Sequence, residues 1–485
     1  MMGFLGILVG LGLLVLFAFR GWSVLLLAPT AALVAALFGG EPLLANWTQV
    51  FMASAAGFLA QFFPIFLLGA VFGKLMDDSG AVSAVAVFIA RCLGKHRVMT
   101  AVVLAGALVT YGGVSLFVAF FVIVPMAQSL FRAASIPRRL IPAAIVLGTS
   151  TFTMSAMPGT PSIQNAIPMP FFGTTPFAAP GLGIIASIIM LGIGLWWLQR
   201  AEAAARRAGE GFGEAPHDAA EHAAVDELLR ERATTAREFD PAEIRHGQLS
   251  KGPAPALNAI LPLIVVVAVN LVMSLVVLPR LDLAFLGEER WGGTSISKVA
   301  GVWSVTVALA AAIATAILCN HRRLPALRQT MDAGANASVL PVLSVASLVG
   351  FGAVIASLPS FATVRDWVLS IGGGPLVSLA VATNILAALT GSASGGLTIA
   401  LDALAQTYME IASRTGVDPA LMHRVAVIGS GSLDLLPHNG AVVSLLSICG
   451  LSHRESYMGI VMVGVVSSLL ALAAVIVLSG VLGSF

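Results

Sequence analysis

Apolar runs long enough to cross a lipid bilayer recur along most of this 485-residue chain. About 20 consecutive apolar residues span a bilayer as a helix. Hydrophobic residues make up 58% of the chain and charged residues only 10%, whereas a soluble domain carries about 25% charged residues. The sequence therefore predicts an all-α polytopic membrane protein, surrounded by lipid, and excludes a soluble enzyme.

One polar segment, residues 199–252, interrupts the apolar pattern with charges of both signs. It divides the chain into a first membrane half, 1–198, and a second, 253–485. Basic residues gather in the short loops Lys95–Arg97, Arg132–Arg139 and His321–Arg328. Because such loops stay inside, we expect these three loops and the linker to lie in the cytoplasm.

Two stretches carry small residues at their centres, and the first of them is too short to cross the membrane twice. Residues 98–131 begin and end near basic loops and turn at YGGVS; residues 375–413 turn at TGSASGG. Paired glycines weaken a helix interior, and non-helical backbone at membrane depth must be buried in protein or line a cavity. Each stretch is predicted to be a re-entrant hairpin, and the two enter from opposite faces.

A broken transmembrane helix follows each hairpin, at 138–168 and at 419–450, with the interruptions at SAMPGTPS and LLPHNG. Landmarks of the two halves keep a nearly constant offset: 281 residues separate Gly148 from Gly429, and 279 separate Pro158 from Pro437. Two hairpins and two broken helices in opposite orientation are the plan of a secondary transporter with inverted repeats.

The substrate of such a transporter is expected near the midplane, between the two tips and the two breaks. Freed amides, helix N-termini and hydroxyl groups there suit an anion. Neither break contains lysine or arginine, and His423 and Arg424 are assigned to the membrane interface in a structural role. The candidate binding residues are Gly112, Gly113, Ser115, Ser155, Gly159, Thr160, Ser162, Gln164, Asn165, Ser392, Ser394, Gly395, Ser432, His438 and Asn439.

Ionisable residues inside a membrane are candidates for function. Asp434 and His438 stand four residues apart, so that they share a helix face if the turn persists, and imidazole titrates nearest to neutral pH. Both are candidate proton carriers, as is Asp402 in the second hairpin. The plainer alternatives are a local pair for Asp434, a helix cap for His438 and a turn residue for Asn439.

Other function classes fit less well. A channel would share re-entrant loops, and flux kinetics would separate the two. The chain has no H-E-x-x-H or G-x-S-x-G motif of an enzyme and no phosphate-binding loop of an ATP-driven pump. The three cysteines are isolated, with no metal-ligand spacing. No metal, cofactor or nucleic acid is expected as a partner.

The tips YGGVS and TGSASGG, the break SAMPGTPS and above all GSLDLLPHNGAVVSLLSICGLSHRESY resemble the gluconate permease family of the ion transporter superfamily. The resemblance covers most of the chain except the linker. It implies proton-coupled symport of gluconate, or a related small hydroxy monocarboxylate such as 3-hydroxybutyrate, across a bacterial inner membrane. It also implies an elevator-type movement and a homodimer. The alternative is a sodium-coupled carboxylate carrier of the same architecture, whose relatives carry Ser-Asn-Thr at both tips, unlike this chain.

Overall fold

The structure is a computed structural model that describes residues 2–20, 22–94, 97–213, 250, 252–437 and 439–485. His438, Lys95, His96 and linker residues 214–249, for which the sequence suggested roles or placements, lie outside the described residues. Regular structure in the described chain is helical throughout. Six of its helical segments are long and apolar enough to cross a membrane.

The described residues of the first half form eleven α-helical segments up to the linker. They are α1 Met2–Phe19, α2 Val24–Gly39, α3 Leu43–Asp78, α4 Ala81–Leu93, α5 Val98–Tyr111, α6 Leu116–Ala133, α7 Ile141–Thr149, α8 Phe152–Ser155, α9 Ile163–Ala166, α10 Pro168–Phe172 and α11 Pro180–Arg207. The last of these continues beyond residue 199, where the linker was expected to begin. Its sequence there, AEAAARR, consists of strong helix formers.

The second half repeats the pattern of long helices, a helical hairpin and an interrupted helix. Its elements are α12 Ala256–Arg280, α13 Ile296–Asn320, α14 Leu327–Ala337, α15 Val339–Ser357, α16 Phe361–Leu369, α17 Pro375–Thr390, α18 Ala393–Thr415, α19 Pro419–Ser432, α20 Gly440–Ile448 and α21 His453–Leu482. Proline stands in the first turn of α17 and α19, where its missing N–H removes no helical hydrogen bond.

Tight turns join the arms of both hairpins. The first tip, residues 112–115, lies between α5 and α6, and Gly113 there adopts a φ of 92°. The second tip, residues 391–394, spans the turn between α17 and α18 and the first residues of α18; Gly391 adopts a φ of 64°. Positive φ is readily populated by glycine, so both chain reversals depend on these residues. Each tip consequently consists of residues with short side chains.

Close helix contacts at glycine join each hairpin to the interrupted helix that follows it. A Cβ added to Gly148 in α7 would stand 2.2 Å from the backbone oxygen of Val103 in α5. The corresponding Gly429 in α19 lies against Thr383 in α17, with a Cβ-to-Oγ1 distance of 2.4 Å. Small residues allow helix backbones to approach in a membrane. The two halves therefore share the same packing contact.

Replacing Gly148 with valine should destabilise the protein, because the side chain has no room beside Val103. We expect a loss of about 1–3 kcal/mol from overpacking, measured as a lower thermal midpoint of the purified protein in detergent. Gly192→Val in α11 is the control, since nothing lies within 4 Å of a Cβ there. Equal midpoints for the two variants would show that the close contact is unimportant.

Candidate functional site

A cavity of about 180 Å³ lies where the first tip, the first break and Ser394 of the second tip meet α3, α14 and α15. The first break is residues 156–162, between α8 and α9. One water needs only about 10–15 Å³ of such space, so this cavity is large enough for a small organic molecule. Its polar lining consists of Thr110, Ser115, Ser162, Gln164, Ser338 and Ser394. The cavity brings together parts of both halves of the chain.

Two polar side chains of this lining have no hydrogen-bond partner among the described residues. They are the hydroxyl of Ser115 at the first tip and the amide of Gln164 beside the first break. Gln164 is only 8% exposed. Burial of an unpaired amide is costly, and most buried polar groups are paired. These two groups are available to bind a ligand that carries hydroxyl or carboxylate groups.

The side-chain amide of Asn165, the next residue, is fully hydrogen-bonded within the protein, unlike that of Gln164. Its Nδ2 donates to the backbone oxygens of Thr160 and Pro176, both at 3.0 Å. Its Oδ1 accepts from Nε2 of His423 at 3.1 Å and from Nη1 of Arg424 at 3.4 Å. All the hydrogen-bonding capacity of this amide is therefore used by the protein, and Asn165 shapes the break without lining the cavity.

This network also fixes the state of His423. Carbonyl oxygens only accept, so the Nδ2 of Asn165 must face Thr160 and Pro176, and its Oδ1 must face the imidazole. Nε2 of His423 then carries the hydrogen, and Nδ1 accepts from the Thr174 hydroxyl at 2.6 Å. The ring is held in one tautomer between two helices.

Arg424 reaches the first break from α19, although the sequence contains no arginine within either break. Its Nη2 and Nε donate to the backbone oxygen of Ala178 at 2.7 and 3.1 Å, and Nη1 donates to that of Ser155 at 3.3 Å. His423 and Arg424 are both 0% exposed and hold other parts of the protein by hydrogen bonds, as expected for a structural role; their place at the membrane interface stays a prediction. The sequence signal was available: two polar residues in an otherwise apolar helix of a membrane protein.

The second break, residues 433–439, is attached to the second tip by Asn439. The Nδ2 of Asn439 donates to the backbone oxygen of Gly391 and to Oδ1 of Asp434, both at 2.9 Å. Its Oδ1 accepts from the backbone nitrogens of Ala441 and Val442, which caps α20. Asn439 thus serves as a helix cap and as a link between break and tip.

Two of the candidate proton carriers, Asp402 and Asp434, are not part of the described cavity lining. One oxygen of Asp434 is bound by Asn439. Asp402 lies on α18, eight residues beyond Ser394, and has no hydrogen-bond or ion-pair partner in the part of the chain that the structure describes. His438 is outside that part. The structure consequently gives no geometry for a pair of Asp434 with His438.

The other predicted site residues divide into those that line the cavity and those that do not. Gly113, Ser115, Ser162, Gln164 and Ser394 line it. Gly112 faces Leu263, Gly159 faces Phe177 and Gly395 faces Leu348. The hydroxyls of Ser155 and Ser432 donate to backbone oxygens one turn earlier, Ser392 caps α18, and Thr160 is buried without a described hydroxyl partner.

Comparison with known proteins identifies relatives over the whole chain. Residues 2–211 match the family described as GntP family permease. The uncharacterized transporter YxjC of Bacillus subtilis is 40% identical over 480 residues, which cover 98% of each chain. That relative has no assigned substrate, so it supports membership of a transporter family and nothing narrower.

Solved structures resemble the fold at low sequence identity. MtrF of Neisseria gonorrhoeae, which belongs to a class of antimetabolite efflux pumps, aligns with a TM-score of 0.53 and 15% identity over 88% of this chain and 82% of MtrF. The YdaH transporter of Alcanivorax borkumensis aligns with a TM-score of 0.48 and 17% identity over 89% and 87%. The likeness to MtrF shows a shared helical fold.

Neighbouring amides of the first break should differ in their effect on stability. Asn165→Leu leaves His423, Arg424 and two backbone oxygens without their partner, and we expect it to cost at least about 2 kcal/mol. Gln164→Leu removes no described hydrogen bond and should leave the thermal midpoint nearly unchanged. Unfolding of both purified variants in the same detergent tests this; equal losses would contradict the assignment of Asn165 as the structural amide.

Proposed function

Because this chain belongs to the GntP permease family, we propose that it is a secondary active transporter that carries a small hydroxy monocarboxylate together with a proton. Gluconate and 3-hydroxybutyrate represent the substrate class. As a multi-pass membrane transporter, and not an enzyme, it moves its substrate chemically unchanged, here across the inner membrane of a bacterium. The resemblance described above supports both the substrate class and the proton.

The unpaired amide of Gln164 in the cavity is the observation that carries this proposal. An amide offers two donors and an acceptor, and the hydroxyls of Ser115, Ser162 and Ser394 add groups that can donate or accept. Apolar side chains such as Ile65, Phe66 and Val345 form the rest of the lining. This mixture suits a short carbon chain with several hydroxyl groups.

The proposed movement is of elevator type. The moving body consists of the two hairpins and the two interrupted helices, which pack on each other through Gly148 and Gly429. Each hairpin is re-entrant, and the two halves form inverted repeats. The matched glycine contacts in the two halves support the repeat, since the same pair of elements meets in the same way. We extend the proposal to a homodimer on the family resemblance alone.

For the coupling proton we retain Asp402, Asp434 and His438 as candidates. Asp402 is supported by its lack of a described partner in a membrane protein, where an unpaired carboxylate is expensive. Asp434 is supported by its place in the second break, beside the tip that also supplies Ser394.

The direct test is uptake of radiolabelled gluconate and 3-hydroxybutyrate into proteoliposomes under an imposed pH gradient or sodium gradient. We expect accumulation of one or both acids with the pH gradient alone. Accumulation that requires sodium would replace the proton by the alternative coupling ion, and absence of uptake under both gradients would reject this substrate class.

Removing the Gln164 amide should impair transport without impairing folding. We expect Gln164→Leu to lower the initial uptake rate at subsaturating substrate by about tenfold, because one or two hydrogen bonds of roughly 1 kcal/mol each are lost. Ser413→Ala, on the exposed end of α18, is the control and should transport normally. Normal uptake by Gln164→Leu would remove this amide from the binding site.

A further inference from the structure

An ion pair is buried at the end of α3, outside the site described above. Nζ of Lys74 lies 2.8 Å from Oδ1 of Asp78, one helical turn away, and the two side chains are 1% and 0% exposed. The hydroxyl of Thr330 in α14 donates to the other carboxylate oxygen at 2.6 Å. Lys74 and Oδ1 of Asp78 form an ion pair, but their geometry does not meet the criteria for a hydrogen bond.

This pair lies next to the cavity along two helices. Ala70 lines the cavity, and Lys74 follows it by one turn on the same face of α3, about 6 Å along the helix axis. A Cβ on Gly73 would stand 3.6 Å from the backbone nitrogen of Ser115 at the first tip. On α14, Ala337 lines the cavity and Thr330 lies two turns away on the same face. Both helices therefore lead from the cavity to the ion pair.

Other charged groups near the pair are few in the described chain. Asp77 is the adjacent residue on α3, and Arg323 donates from Nε to the backbone oxygen of Ser79 at 3.0 Å. On the facing helix α14, Arg328 and Asp332 pair with each other and are largely exposed. Thr330 is the group of α14 that contacts Asp78. Asp77 also acts electrostatically on Lys74, but Asp78 is the carboxylate in contact with the ammonium.

A buried ion pair is a poor source of stability. The cost of removing both charges from water offsets their attraction, and apolar residues of similar volume often serve as well. Ionisable residues in membrane segments are expensive and usually have a function. The described lining of the cavity offers hydroxyls and an amide but no cation, and Arg424 is committed to the backbone oxygens of Ser155 and Ala178. A carboxylate in the cavity lacks a counter-charge there.

We propose that Lys74 supplies the counter-charge for the substrate carboxylate and that Asp78, in place of the three candidates named above, accepts the coupled proton. A proton forms an O–H bond with the Asp78 carboxylate, which breaks the ion pair with Lys74. The ammonium, on its flexible four-carbon stem, then turns toward Ala70 and pairs with the substrate in the cavity. This step rests on the proposed function, because it requires a substrate with a carboxylate.

Charge balance explains why proton and anion would travel together. In the empty site Lys74 and Asp78 carry one positive and one negative charge, and in the loaded site these two positions and the substrate carry the ammonium, a neutral carboxylic acid and the anion. The charge summed over Lys74, Asp78 and the substrate is zero in both states, and Asp77 contributes equally to both. The anion alone would leave a net charge of −1 and the proton alone +1, and each unbalanced charge is costly away from water. The pair therefore favours symport over movement of either ion alone.

The test uses proteoliposomes loaded with gluconate or 3-hydroxybutyrate, whichever the wild type accumulates. Asp78→Asn imitates the protonated carboxyl group, so it should still exchange internal for external labelled acid. Its accumulation driven by a pH gradient should fall at least tenfold. The exchange rate of the wild type should decrease as pH rises, whereas that of Asp78→Asn should not depend on pH.

The double variant Lys74→Met/Asp78→Asn separates this role from a structural one. It buries no charge, so it should fold, and we expect it to lose both exchange and accumulation. Lys74→Asp/Asp78→Lys keeps an ion pair but moves the ammonium a turn away from the cavity, and it should also fail to transport. Glu202→Gln/Arg206→Gln neutralises an exposed pair of the same spacing and should behave as wild type.

Normal transport by either double variant, or normal accumulation by Asp78→Asn, would overturn the inference while leaving the transporter assignment intact. Failure of the wild type to take up either acid would instead reject the proposed function, and the inference with it. Uptake driven by sodium in the wild type would reject the role of Asp78 as the proton acceptor.

Discussion

The fold depends on hydrogen bonds that satisfy the backbone where membrane helices are interrupted. Lipid offers no partner for a free carbonyl oxygen, so side chains must supply one. Tyr111 donates to the oxygen of Pro158 and Asn165 to that of Thr160 at the first break. Tyr457 donates to the oxygen of Leu435, and Asn439 ties the second break to Gly391. Each break is therefore fixed to neighbouring elements by hydrogen bonds. A break held in this way can keep a cavity open in the membrane.

This requirement distinguishes residues that shape the site from residues available to a ligand. Asn165 and Gln164 are adjacent amides, yet the protein uses every hydrogen-bonding position of the first and none of the second within the described chain. The same distinction separates Asn439, which caps α20, from Ser115, whose hydroxyl faces the cavity. Position beside a break is therefore not enough to identify a polar residue as a binding residue. The residue must also have donors or acceptors that the protein itself does not use.

Periodicity and turn chemistry were enough to predict the helical class, the places of the tips and the places of the breaks, because they depend on local sequence. The family itself was recognised from the break motifs. Contacts between distant segments were not predictable. Arg424 and Ser155 are separated by 269 positions, and nothing in either segment indicates the other. The Lys74–Asp78 pair was visible as an i, i+4 spacing, but its closeness to the cavity depends on how α3 packs against α14 and the first tip.

The two halves share a backbone plan but not a charge distribution. Gly148 and Gly429 make matching contacts 281 positions apart, whereas the positions that correspond to His423 and Arg424 at the same offset are Pro142 and Ala143. His423 and Arg424 of the second half support the segment around the first break, and the described lining of the cavity includes residues of the first break but none of the described residues of the second. The two halves therefore share a helix-packing contact at glycine but contribute unequally to the polar lining of the cavity. The first half supplies Thr110, Ser115, Ser162 and Gln164, and the second supplies Ser338 and Ser394.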